Sequence, residues 1–277
     1  MTTQEIKQLS ILACKVRMGI IESTHAAKCG HPGGSMSAAE MFTYLYNKEL
    51  NVDPANPKWE ARDRFVLSKG HTTPGLYATL ANRGYFDKSE LLTLNQGGTN
   101  LPSHCDMNKT TGIDMTTGSL GQGFSCAVGI ALGSKIKKDG ATIYTIVGDG
   151  ESQEGQIWEA GMFASHAKLD NLIAFTDKNG LQIDGSTAEV CNVDPLDEKW
   201  RAFGWEVTVL EDGNDSDAID KAITHAKNAK NGKPKMIILN TVKGKGISFV
   251  EAKGAGCHNM NLSADDVARA IAEIRGA

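Results

Sequence analysis

Two short apolar runs, each closing on a polar residue, constrain this chain more than any other feature. The first, from Ala141 to Val147, is rich in β-branched residues and ends in Gly148-Asp149-Gly150. The second, from Leu169 to Phe175, leads to Asn179. Between them Ile157, Ala160, Gly161 and Ala164 recur at helical spacing, which predicts a helix over 153–166. A strand–helix–strand unit requires its two strands to run parallel. If those strands are neighbours, Asp149 and Asn179 emerge together at their carboxyl ends, where open α/β sheets bind ligands. One carboxylate and one amide oxygen form a sparse hard-donor set, suited to Mg²⁺ or Ca²⁺ whose other ligands come from a phosphate. The glycines permit close backbone approach, and the helix after Gly150 aims free N–H groups at an anion. The same residues also read as a plain strand-to-helix turn capped by an aspartate.

The stretch from Gly148 through Asn179 resembles the thiamine-diphosphate motif, and the chain around it resembles transketolase. The resemblance is carried by Cys29-Gly-His-Pro-Gly33, Leu67-Ser-Lys-Gly-His71, Thr116-Thr-Gly-Ser-Leu-Gly-Gln-Gly123, Gly150-Glu-Ser-Gln-Glu-Gly155 and Leu181-Gln-Ile-Asp-Gly185. It extends from about Ile6 to the region of His258 and matches the amino-terminal half of a full-length transketolase. More closely, the chain is similar to the first subunit of transketolases split into two chains.

The remaining sequence fits an α/β fold with a mainly parallel central sheet and helices on both faces. With 277 residues, 40% of them hydrophobic, one large domain spanning 1–277 is expected. A net charge of −4 argues against nucleic acid as the main partner. No apolar run reaches membrane-spanning length, so no membrane partner is expected. Six scattered cysteines without Cys-x-x-Cys spacing suggest free thiols in a cytoplasmic protein. Thr2 and Glu5 form a capping-box pattern for a first helix. Further helices are expected over 37–50, 75–83, 125–136, 216–229 and 263–274, the last ended by Gly276. Strands are expected at 65–67, 205–210 and 236–240. The basic Lys243-Gly-Lys245 stretch reads as a solvated loop, and Glu151, Glu154 and Glu159 as an acidic helix face.

Of seven histidines, His31, His71, His104 and His258 lie beside Gly, Pro or Ser in expected loops, a placement that favours function. The resemblance implies that these four gather around the cofactor. His71 and His258 would donate to the diphosphate; His31, His104 and His258 would contact the sugar and move protons. His258 sits in Gly256-Cys-His-Asn259, which departs from the family's usual surroundings. The resemblance also implies that Asp149, Asn179 and the Leu181 carbonyl hold Mg²⁺ or Ca²⁺, assisted by the Gly150 N–H. Gly118 would allow close backbone approach, Leu120 would wall the cofactor rings, and Glu154 would face a partner subunit. His25, His166 and His225 carry no implied role.

The implied activity is thiamine-diphosphate-dependent transfer of a two-carbon ketol unit from a ketose phosphate to an aldose phosphate. The implied partner is a second subunit with the pyrimidine-binding and carboxy-terminal domains, in an α2β2 assembly. Three alternatives stay open: a transketolase for a branched or sulfonated sugar, the cofactor-binding subunit of a 2-oxo acid dehydrogenase, and a non-catalytic binding module.

Overall fold

The computed structural model describes residues 1–276. Chain order is α1 (Thr3–Ala27), α2 (Pro32–Ser37), α3 (Ala39–Tyr44), β1 (Arg64–Leu67), α4 (Thr73–Arg83), α5 (Gln122–Lys137), β2 (Ile143–Gly148) and α6 (Gly155–His166). It continues with β3 (Leu172–Lys178), α7 (Thr187–Val190), α8 (Leu196–Ala202), β4 (Glu206–Leu210), α9 (Ser216–Asn228), β5 (Lys235–Asn240), α10 (Ser248–Glu251) and α11 (Ala264–Gly276).

The five strands form one sheet in the order β1-β2-β3-β5-β4, every pair parallel. Parallel strands covered on both faces should be apolar throughout rather than alternating. That holds for β2, β3 and β5, in which only the last residue of the strand escapes full burial. Side chains nevertheless divide by parity. Tyr144, Ile146, Ile173, Phe175, Ile237 and Leu239 pack with α1, α3, α4 and α9 on one face. Ile143, Val147, Leu172, Ala174, Met236 and Ile238 pack with α5, α6 and α8 on the other. On that second face Trp200 is fully buried among Phe124, Trp158 and Trp205, with ring centroids 4.9 to 5.8 Å away. Each such aromatic pair contributes about 1 kcal/mol beyond its buried area.

The capping box of α1 forms as the sequence implies: the Thr2 hydroxyl accepts from the Glu5 N–H at 3.2 Å, and the Glu5 carboxylate accepts from the Thr2 N–H at 2.7 Å. Most boundaries shift by a residue or two, and α5 starts three residues before the expected position. β3 begins at Leu172, because Leu169 to Asn171 close a turn after α6 in which Lys168 has a positive φ. The helix expected over 37–50 is broken into α2, α3 and a π turn at Leu45–Glu49, with helix already starting at Pro32. α11 runs to Gly276, the last described residue. No helix among the described residues is long and apolar enough to cross a membrane.

Candidate active site

Because β2 and β3 pair with Gly148 opposite Asp177, the turns that follow them lie side by side. Asp149 is 1% exposed and accepts from two backbone N–H groups, Gly150 at 2.8 Å and Gly180 at 2.6 Å. Burial, then the neighbouring Asp177 carboxylate, pushes the Asp149 carboxyl up to about 6. The Asn179 amide donates to Asp177 at 3.0 Å, and its oxygen accepts from the Leu181 N–H at 3.1 Å. Those two bonds fix which way the amide points.

Beneath them is a buried ion pair between Lys69 and Asp177. Asp177 is fully buried and also accepts from the hydroxyls of Ser37, at 2.6 Å, and Thr241. Burial raises its carboxyl, but Lys69 and the two hydroxyls outweigh this and hold it below the usual carboxylate range. Lys69 also donates to the Gly34 carbonyl at 3.0 Å.

A cavity of about 370 Å³ opens over this floor. Its lining includes His71, Leu120, Asp149, Gly150, Glu154, Asn179, Leu181 and His258, together with Gly34, Lys69 and Lys243. A Cβ at Gly150 would stand 2.8 Å from that of Gln182, so the close approach expected there is used against the protein's own 180–187 loop. His31 continues the histidine row: its ring centroid is 5.1 Å from His71, 5.3 Å from His258 and 6.3 Å from His104. His71 and His258 are 4.9 Å apart. Gly118 lies behind His104, 3.5 Å from its ring at the position a Cβ would take. The candidate residues therefore converge, His258 among them despite its altered surroundings.

Burial, with help from the other rings and Lys243, lowers both His31 and His258 to about 4. His71 lies well below the ordinary imidazole range for the same reason, and partial burial lowers the more exposed His104. All four rings are thus neutral at pH 7, each with one donor and one acceptor nitrogen.

Two expectations are overturned. Lys243 is not part of a solvated loop: it is 5% exposed, 3.2 Å from His258 Nδ1 and 3.4 Å from the Leu181 carbonyl. The Gly244 N–H donates to the Gly33 carbonyl at 3.0 Å and draws the loop inward. Nor do Glu151, Glu154 and Glu159 form one acidic helix face. Glu154 has extended backbone and caps α6, whereas Glu151 is buried in a separate 3₁₀ turn at Glu151–Gln153. Sequence reasoning also missed Lys69 and Asp177. The signal for both is position, since each stands at the carboxyl end of a strand.

Among the described residues no group of three His, Cys, Asp or Glu side chains could hold a metal ion. The oxygens of Asp149, Asn179 and Leu181 make the sparse set that a phosphate-bound metal needs, because the phosphate completes its coordination. A buried carboxylate with a raised pKa beside two buried ammonium groups suits a metal-bound diphosphate.

Residues 8–275 match the family model described as "Transketolase, thiamine diphosphate binding domain". The chain belongs to the transketolase family. It is 54% identical to the 6-deoxy-6-sulfo-D-fructose transketolase subunit SqwG of Clostridium sp. (strain MSTE9), covering 99% of this chain and 98% of that one. It is 37% identical to an apulose-4-phosphate transketolase subunit from Phocaeicola vulgatus, covering 98% and 95%. Among solved transketolase structures, one from Pichia stipitis superimposes with a TM-score of 0.91 at 33% identity. That match covers 96% of this chain and 40% of the Pichia chain. A transketolase thus carries this α/β unit either as a separate subunit or as about two-fifths of a longer chain.

Proposed function

We propose that this chain is the thiamine-diphosphate-binding subunit of a two-chain transketolase and moves a two-carbon ketol unit from a ketose to an aldose. The observation that carries the reading is the convergence of Asp149, Asn179, Leu181, His71 and His258 on one cavity, with His31 and His104 in the same row of rings. In this reading Asp149, Asn179 and the Leu181 carbonyl hold Mg²⁺ or Ca²⁺. Gly150, His71, His258 and Lys243 bind the diphosphate, while Gly118 and Leu120 flank the rings. Thiamine diphosphate, when bound, supplies the carbanion chemistry. His31, His104 and His258 donate to the sugar oxygens on which negative charge develops and return protons from them. Burial keeps these rings neutral, so each offers one N–H donor and one acceptor nitrogen to the sugar oxygens.

The partner is a second chain with the pyrimidine-binding and carboxy-terminal domains, and the assembly is α2β2 in the cytoplasm. Glu154, exposed beside the cavity, faces that partner. Support comes from the relatives named as transketolase subunits, which match this chain over nearly their whole length. The substrates are sugar phosphates in the general reading. The 54% identity to a sulfofructose transketolase subunit favours a second one, in which the donor is a sulfonated ketose.

The test is native co-purification, followed by a ketol-transfer assay with thiamine diphosphate and Mg²⁺. Fructose 6-phosphate and 6-deoxy-6-sulfofructose are compared as donors. A stoichiometric second chain and aldose-dependent transfer are expected, and preference for one donor decides between the two readings. Co-elution with a lipoyl-bearing protein, or no transfer with either donor, would overturn both.

A further inference from the structure

No step of the proposed reaction uses Glu151, yet its carboxylate lies buried beside the cavity and accepts three hydrogen bonds. It is 3% exposed. Its Oε1 accepts from the Ser68 hydroxyl at 2.6 Å and the Gly121 N–H at 2.8 Å; its Oε2 accepts from the Gly148 N–H at 3.0 Å. The three donors belong to three different turns. Ser68 follows β1 and directly precedes Lys69 and the turn that carries His71. Gly121 closes the turn of Gly118 and Leu120 and heads α5, where a carboxylate also meets the positive end of the helix dipole. Gly148 closes β2 and directly precedes Asp149.

The turns already touch, since a Cβ at Gly123 would stand 2.6 Å from the Ser68 Cα. Contact alone leaves them free to slide, whereas one planar carboxylate accepting in three directions fixes their relative positions. We propose that Glu151 is a positioning residue: its carboxylate clamps these three turns at the separation that thiamine diphosphate and its metal require. The inference rests on reading the cavity as the thiamine-diphosphate site.

The geometry also selects the test. Glu151→Gln keeps the size but exchanges one acceptor oxygen for a donor, so at least one of the three N–H or O–H groups meets an NH₂. Ser68→Ala removes a single donor. Both variants are made in the full chain. Calorimetry reads the Kd for thiamine diphosphate with saturating Mg²⁺, and hydrogen exchange of the ligand-free protein reads the peptides containing Gly121 and Gly148.

Residues supporting a metal's ligands typically account for 10–100-fold in affinity, so Glu151→Gln is expected to weaken binding at least about tenfold. Ser68→Ala is expected to weaken it about threefold. Exchange at Gly121 and Gly148 accelerates in both while distant peptides stay unchanged. Wild-type Kd in both variants, or unchanged exchange at both glycines, overturns the clamp. If Glu151→Gln does not fold, Ser68→Ala decides by the same two readouts. A wild-type chain that binds no thiamine diphosphate refutes the reading of the cavity instead, and exchange then judges the clamp by itself.

Discussion

At the floor of the cavity every carboxylate is held by several donors; along the histidine row almost nothing is held. Asp149 accepts two backbone hydrogen bonds, Glu151 two from the backbone and one from a hydroxyl, and Asp177 four from side chains. Among the described residues His258 alone of the four histidines has a ring hydrogen bond, to Lys243. The contrast teaches how a site divides its work. In the proposed reading the floor presents fixed charge and oxygens to a metal diphosphate, and such a task is served by groups fixed in advance. In the same reading His31 and His104 follow a sugar whose oxygens change charge, and their free ring nitrogens suit that task.

The divide between floor and row is tested hardest at the buried ion pair. Asp177→Leu leaves the Lys69 ammonium without its counter-charge, and a loss of about 3–5 kcal/mol in folding stability is expected by urea denaturation. The double variant Lys69→Met with Asp177→Leu should lose less than either single one. Asp149→Ala should weaken metal-dependent thiamine diphosphate binding by about 100-fold or more, with the circular dichroism spectrum preserved. Unchanged affinity would remove Asp149 from the metal.

Changes in the histidine row should act on turnover instead. His31→Asn is expected to lower kcat by about 100-fold with the cofactor Kd within about twofold of wild type. A matching loss in Kd would mean that floor and row are not separate. The smallest effect is on pH dependence. Unfolded imidazoles protonate near pH 6.5 and the folded His31 and His258 near 4. Between those values the unfolded chain binds more protons, so stability rises with pH through the window and falls on acidification. The melting temperature should drop by a few degrees between pH 6.5 and 4, and less steeply in His31→Asn.

The parts of this molecule that were legible in the sequence are those governed by nearby residues. The β2–α6–β3 unit could be read from β-branched runs and helical spacing, and with it the adjacency of Asp149 and Asn179. The parts that misled are governed by distant ones. Lys243-Gly-Lys245 has the composition of a solvated loop, and Lys243 and Gly244 are buried only because the chain around Gly33, Leu181 and His258 closes over them. Glu151 has the local look of an exposed helical acid, but its first partner, Ser68, lies 83 positions away. Resemblance carried the four histidines further than spacing could, since no local pattern joins His31 to His258.

The spread of partners along the chain has a kinetic consequence. Ser37 meets Asp177 across 140 positions, and Lys69 meets it across 108. Contacts of such range form late, because loops must close before parallel strands can register. A nascent or partly folded chain therefore holds no half-built floor to which a cofactor could cling. A ligand that needs the whole floor must wait until the sheet is complete.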